Sequence, residues 1–148
     1  LVVVSLAGIF AFSLSTLGVI DPITRAIVNS GLNEYGVLGL LIVLLLVLGM
    51  FLDGISILLI FVPLLMPIVQ HYQWDVVWFG VVLVMTVAVG QFTPPMAVNL
   101  MVSSRIANVR MEQTTRWVVW LVLAMCVAML LVVVFPQLAL WVPARLGY

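Results

Sequence analysis

Two short polar stretches interrupt long apolar runs of this chain. GMFLDGIS occupies residues 49–56 and GQFTPP occupies residues 90–95. A dehydrated Na⁺ ion needs several oxygen ligands, and interrupted helices supply them from freed carbonyls and from Ser, Thr, Asn and Asp side chains. The two stretches therefore predict one cation site to which both contribute. The predicted ion-binding residues are Gly49, Asp53, Ser56, Gly90, Thr93 and Pro94, of which the glycines and the proline, together with Gly54, shape the backbone.

An anionic substrate is expected beside this cation. The half-helix that starts near Pro95 presents the positive end of its dipole, which favours a bound anion. Asn99 lies one turn beyond the interruption and carries a side-chain amide. We therefore assign Pro95 and Asn99 to substrate binding.

The polar side chains also have structural alternatives. Asp53 is an acid within a long apolar run, where a functional role is the default, but it could instead cap a helix by accepting N–H groups of Ile55 or Ser56. Thr93 either coordinates the ion or satisfies backbone groups that the prolines free. Asn99 either binds substrate or forms a hydrogen bond between helices, and the role of Ser56 is equally open.

The composition identifies an integral membrane protein. Of the 148 residues, 66% are hydrophobic and 7% are charged, and the mean hydropathy is +1.41. A soluble domain is nearer half apolar and a quarter charged, so a water-soluble fold of this size could not hide so much apolar surface. The formal net charge of zero gives no indication of a nucleic-acid partner. Because the chain begins with Leu1, we expect it to be part of a longer protein.

The first polar stretch lies in the middle of a predicted hairpin. Residues 1–20 are long enough to cross the hydrocarbon layer of roughly 30 Å, and residues 21–35 are typical of a helix lying along the membrane surface. The apolar run over residues 36–70 is too long for one crossing of about 20 residues and too short for two. A turn at residues 49–56 divides it into two half-length arms. This predicts a re-entrant helical hairpin whose tip lies near the bilayer midplane.

The second polar stretch divides a predicted discontinuous transmembrane helix over residues 76–104. Pro94 and Pro95 lack an N–H group, and the residue before a proline avoids the helical region. A last crossing is predicted over residues 117–136. The loop between these spans contains three arginines and one glutamate, and the positive-inside rule places it in the cytoplasm. The hairpin then enters from the outside, and the paired interruptions indicate a secondary-transporter site.

These motifs resemble the large membrane subunit of tripartite ATP-independent periplasmic (TRAP) transporters, in its C-terminal part. The resemblance extends over GMFLDGISILLIFVPLLMPIV and WFGVVLVMTVAVGQFTPPMAVNLMVSS. The residues that carry it are Gly49 with Asp53, Pro63 with Pro67, Gly80, Gly90 with Thr93, Pro94 and Pro95, and Asn99 with Leu100.

The resemblance implies an all-α, elevator-type fold in which two inverted repeats each supply a hairpin and a broken helix. This chain would be most of the second repeat. The family implies a multi-pass protein of the bacterial inner membrane that couples Na⁺ flux to uptake of organic acids such as C4-dicarboxylates or sialic acids. A periplasmic substrate-binding protein and a small membrane subunit are the implied partners, and Na⁺ is the coupling ion, with no other cofactor. By the same resemblance, Asp53 and residues 93–95 form the second Na⁺ site beside the substrate.

Three alternatives differ from this prediction. Another ion-coupled carboxylate transporter of the same superfamily would work without a binding protein. An intramembrane enzyme would need paired acids, histidine ligands or a Ser/Lys pair at membrane depth, and the sequence favours none of these, so we predict no enzyme. Uninterrupted spans would favour a purely structural membrane scaffold, and GQFTPP argues against this alternative.

Overall fold

The computed structural model describes residues 31–93 and 98–146, together with short pieces between 5 and 27; the side chains of Val98, Met111 and Glu112 are excepted. Eleven of the twenty residues of the predicted crossing over 1–20 and six of the fifteen residues of the predicted surface helix over 21–35 lie outside the described residues. Residues 31–93 and 98–146 form six helices, which we number α1 to α6.

Helices α1 and α2 form a helical hairpin. α1 spans Glu34–Phe51 and α2 spans Gly54–His71, each with 18 residues, or about 27 Å at 1.5 Å per residue. Between them Leu52 and Asp53 have extended backbone conformations, so the turn falls within the stretch in which the sequence predicts it. Both arms are longer than half a crossing. Whether the hairpin is re-entrant therefore stays a prediction.

The predicted discontinuous helix corresponds to α3, Val76–Phe92, and α4, Val98–Ile106. Asp75 caps α3, because its carboxylate accepts hydrogen bonds from the backbone N–H groups of Val77 and Trp78 at 2.8 and 3.0 Å. α3 ends where Thr93 takes an extended conformation, with φ −91° and ψ 127°. The prolines Pro94 and Pro95 lie outside the described residues.

The chain then runs through α5, Met111–Val134, and α6, Gln137–Leu146. Pro136 separates them and lacks the N–H group that would bond the carbonyl of Val132 four residues earlier. The indole Nε1 of Trp78, at the start of α3, donates to that carbonyl instead, at 2.9 Å. A side chain of α3 thereby satisfies a backbone acceptor that a proline in another element leaves free.

Helix α3 is the centre of the described part and contacts α1, α2, α4, α5 and α6. The buried residues of α1 lie mainly at intervals of four, so they form one stripe along the helix that ends at Gly49. The buried core is mainly aliphatic and is built from three helices and the turn before α3. Its members include Leu41, Leu45, Ile57, Ile68, Val82 and Leu83, together with the aromatic residues Trp74, Trp78 and Phe79.

A large apolar surface remains exposed. α5 is the clearest case: its 22-residue span Gln113–Val134 is apolar, and 6% of the 18 most apolar consecutive residues within it are buried. Among the described residues three helices are long and apolar enough to cross a membrane, Glu34–Phe51, Gly54–His71 and Gln113–Val134. An exposed apolar surface of this extent is stable where lipid replaces water as solvent, so the described part is that of an all-α integral membrane protein.

Candidate functional site

The two polar stretches meet at a pair of glycines. A Cβ atom built on Gly90 would lie 2.8 Å from the carbonyl oxygen of Leu46 and 2.9 Å from Cα of Gly49. One built on Gly49 would lie 3.2 Å from Cα of Gly90. Since no side chain separates the two backbones, α1 and α3 touch where each approaches its interruption. The structure thus brings together the two glycines that the sequence analysis assigned to the same site.

A second contact joins the start of α2 to the end of α3. A Cβ atom built on Gly54 would lie 2.5 Å from Nε2 of Gln91 and 3.3 Å from a methyl group of Val87. Glycine at position 54 therefore leaves the space into which the Gln91 side chain extends. The hairpin tip and the broken helix lie against each other at two points.

Gln91 also reaches across the interruption of the helix. Its Oε1 accepts a hydrogen bond from Nδ2 of Asn99, at 2.9 Å. Asn99 lies in α4, so this bond joins the two halves of the discontinuous helix, as one alternative for Asn99 predicts. The sequence analysis gave Gln91 no role. The available signal was a long polar side chain beside a helix break in an apolar run, which is costly unless it has partners.

Asp53 caps α2 as its structural alternative predicts. Oδ2 of the carboxylate accepts a hydrogen bond from the backbone N–H of Ser56, at 2.9 Å. The Asp53 side chain is exposed in the described part of the protein, so it remains accessible for a second role. The cap accounts for an acid at this position, but it does not exclude coordination of an ion.

Thr93 satisfies a carbonyl at the end of α3. The backbone N–H of Thr93 bonds the carbonyl of Gly90 at 3.0 Å, and the carbonyl of Val89 therefore lacks its usual partner four residues on. The Thr93 hydroxyl donates to this carbonyl at 2.7 Å. The hydroxyl oxygen keeps its lone pairs, which remain available to a cation.

A pocket of about 430 Å³ opens beside the tip. Asp53 and Gln91 are its polar side chains, and aliphatic residues of α2 and α3, such as Leu58 and Val84, form the rest of its wall. Its size lies within the range of small-molecule sites, roughly 300–1,000 Å³.

Three residues that the sequence assigned to the ion or the substrate remain. Ser56 contributes its backbone N–H to the Asp53 cap. Pro94 and Pro95 lie outside the described residues.

Comparison with protein families gives a match over nearly the whole chain. The family model described as "Tripartite ATP-independent periplasmic transporter, DctM component" matches residues 1–138. This match includes both polar stretches and all helices from α1 to α5.

Individual relatives are permease proteins of the same type of transporter. The isethionate TRAP transporter permease protein DctMQ of Oleidesulfovibrio alaskensis is 32% identical over 95% of this chain, which covers 22% of that protein. The sialic acid TRAP transporter large permease protein SiaM of Vibrio cholerae is 38% identical over 78% of this chain and 27% of its own length. The C4-dicarboxylate TRAP transporter large permease protein DctM of Rhodobacter capsulatus is 32% identical over 99% of this chain and 33% of its own length.

The chain therefore spans about a third or less of the length of these relatives. The resemblance stated from the motifs is confirmed by the family match and by several large permeases of different named substrates. The chain belongs to the DctM component family of tripartite ATP-independent periplasmic transporters, as part of its large membrane subunit.

Proposed function

We propose that this chain is the C-terminal portion of a large permease subunit that imports an organic acid together with Na⁺ across the bacterial inner membrane. A periplasmic binding protein would deliver the substrate, and a small membrane subunit would support the large one. The relatives named above include sialic acid, C4-dicarboxylate and isethionate transporters, which supports an organic anion as the substrate class.

The observation that carries this proposal is the contact of Gly49 with Gly90. It brings the last turn of α1, beside the hairpin turn, into direct contact with the last turn of α3, beside the helix interruption. Irregular backbone inside a membrane is tolerated where it is buried in protein or lines a cavity, and paired interruptions of this kind form the binding sites of secondary transporters.

Cation binding would connect the two interruptions. Asp53 and Thr93 each offer oxygen lone pairs beside freed carbonyls, and such hard oxygen donors suit Na⁺. Bound Na⁺ would hold the tip against the end of α3, and the substrate anion would then lie near the start of α4, where the helix dipole is positive. Ordering of both interruptions by the ion would precede the elevator movement of the transport domain.

Na⁺-dependent uptake by the full-length protein in proteoliposomes tests the site. We expect Thr93→Val to raise the Na⁺ concentration for half-maximal uptake about tenfold, because one ligand is lost. Thr86→Val is the matched control, since the Thr86 hydroxyl also bonds a carbonyl four residues earlier in α3, at 2.8 Å, but is fully buried away from the tip. Equal Na⁺ dependence in both variants would remove Thr93 from the ion site.

Asp53 needs a control that separates capping from ion binding. Asp53→Asn keeps a side-chain oxygen to cap α2 and removes the charge, whereas Asp75→Ala removes a comparable cap from α3. We expect Asp53→Asn to weaken the Na⁺ dependence while thermal stability is kept, and Asp75→Ala to lower stability with an unchanged Na⁺ dependence. If Asp53→Asn lowered thermal stability and left the Na⁺ dependence unchanged, Asp53 would be a capping residue alone.

A further inference from the structure

Helix α6 exposes an apolar stripe beyond the last membrane span. Leu138, Trp141 and Val142 are 59%, 62% and 54% exposed, and their spacing of three and four residues places them on one side of the helix. On the other side, Ala139 and Leu140 pack against the core. The helix is therefore apolar on both sides, and its outer side needs a partner other than water.

The end of α5, from which α6 continues, lies at a membrane surface. The apolar span Gln113–Val134 has 22 residues, about 33 Å, which is enough to cross the hydrocarbon layer of roughly 30 Å. Nε1 of Trp78 bonds the Val132 carbonyl near the end of this span, and Trp78 belongs to a group of contacting aromatic side chains with Tyr72 and Trp74. Because Tyr and Trp are enriched where hydrocarbon meets the head groups, this group marks the depth at which α5 ends.

α6 starts at Gln137, just after this boundary, and turns across the helix bundle. Pro136 interrupts the helical hydrogen bonding between α5 and α6, and α6 contacts α3 as well as α5. With 10 residues, or about 15 Å, it is too short to cross the membrane. A short helix that leaves the span at this depth is expected to lie along the membrane surface.

Arg145 follows the stripe one turn further and gives it a charged end. Its guanidinium carbon lies 5.5 Å from the ring centre of Trp141, within the range of a cation–π contact. The alkyl part of an arginine can cover apolar surface while the charged group extends toward water or a lipid head group. An arginine beside a tryptophan on an apolar stripe therefore suits the depth at which hydrocarbon meets phosphate.

We propose that the stripe formed by Leu138, Trp141, Val142 and Arg145 binds the phospholipid surface on the side of the membrane opposite the loop between α4 and α5. The positive-inside rule predicts that this is the periplasmic leaflet. The apolar side chains enter the outer edge of the hydrocarbon, and the guanidinium group of Arg145 binds lipid phosphate. α6 thereby holds the ends of α3 and α5 at the membrane surface.

The surroundings of the stripe favour lipid over a partner protein. Val134 and Phe135, at the end of α5, are exposed as well, so exposed apolar side chains continue from the lipid-stabilised surface of α5 into α6. The family model matches residues 1–138, and the part of α6 after Leu138 lies outside this match. A contact surface with which the whole family assembles would be expected within the match.

Nitroxide labels on α6 of the full-length protein in phosphatidylglycerol vesicles test this proposal. Val142→Cys places a label on the stripe, and Ala144→Cys is the matched control, because Ala144 is exposed in the same helix but lies beside the stripe. The native cysteines, including Cys126, are replaced beforehand. Collisions of each label with oxygen and with a water-soluble nickel chelate give its depth. We expect the label at position 142 to lie about 5–10 Å inside the boundary between head groups and acyl chains, and the label at position 144 to lie in water.

Two results would contradict a lipid-bound stripe. A label at position 142 as accessible to the nickel chelate as the label at position 144 would mean that α6 extends into water. A label at position 142 that neither reagent reaches would mean that protein covers the stripe. Melting temperatures show that each variant is folded, and Leu138→Cys provides a second label on the stripe.

The phosphate contact of Arg145 is tested in the same labelled protein. We expect Arg145→Gln to raise the fraction of labels at position 142 that the chelate reaches about fivefold, from the typical contribution of one basic residue near an anionic lipid surface. Arg145→Lys is the control that keeps the charge, and it should leave this fraction nearly unchanged. Equal accessibility in the two variants would remove lipid phosphate as the partner of Arg145.

Discussion

Replacing Gly90 with alanine places a methyl group where α1 and α3 touch. The new Cβ would lie 2.8 Å from the carbonyl oxygen of Leu46 and 3.0 Å from the carbonyl carbon of Gly49. Both neighbours are backbone atoms, which cannot rotate away as the end of a side chain can. Ordinary contact begins near 3.4 Å, so the helices must separate locally by about 0.6 Å.

The energetic consequence is the difference between two opposing effects. Overpacking of this kind costs about 1–3 kcal/mol, whereas alanine stabilises a helix by about 1 kcal/mol relative to glycine. With a steric cost near the middle of its range, the net loss is about 1 kcal/mol. If the Na⁺-bound state is the one that requires close contact of the helices, this loss weakens apparent Na⁺ affinity about fivefold.

Na⁺-dependent uptake and thermal unfolding of the full-length protein measure this prediction. Gly80→Ala is the matched control, because Gly80 lies in the same helix and a Cβ built there would meet no atom within 4 Å. We expect Gly80→Ala to keep its Na⁺ dependence and to be slightly more stable. If Gly90→Ala behaved like Gly80→Ala in both assays, the close contact of α1 and α3 would not control ion binding.

Three further predictions concern other contacts of the described part. Gln91→Leu keeps the side-chain bulk but loses the amide that joins both halves of the broken helix, so uptake should fall about tenfold while the melting temperature changes little; a matching fall in melting temperature would assign Gln91 a structural role alone. Trp78→Phe leaves the Val132 carbonyl without its donor, and we expect thermal unfolding to show a loss of about 1–3 kcal/mol; unchanged stability would mean that water or lipid replaces the indole. Gln73, in the turn after α2, has φ +55°, so Gln73→Gly should raise stability by about 0.5–1 kcal/mol in the same assay. A loss of stability would show that the hydrogen bond from the Gln73 side chain to the Gln70 carbonyl, at 2.7 Å, outweighs the strain of the positive φ angle.

Local signals in the sequence explain what it predicted well. Apolar composition predicted a helical membrane protein, because lipid is the solvent that tolerates such a surface. The aspartate and glycines near residue 53 predicted the hairpin turn, and the structure has that turn at Leu52 and Asp53. The motif around GQFTPP carried the resemblance to the family, which the comparison confirms. Re-entry of the hairpin and binding of Na⁺ stay predictions.

What only the tertiary structure decided is which groups meet. The sequence determined by itself the solvent, the helical class, the positions of the interruptions and the family, since each depends on composition or on neighbours along the chain. The contact of Gly49 with Gly90, the bridging amide of Gln91 and the bond from Trp78 to Val132 join residues whose meeting depends on how helices pack and rotate. Hydrophobic periodicity was a weak guide to those rotations, because a helix surrounded by lipid and protein is apolar on nearly every side.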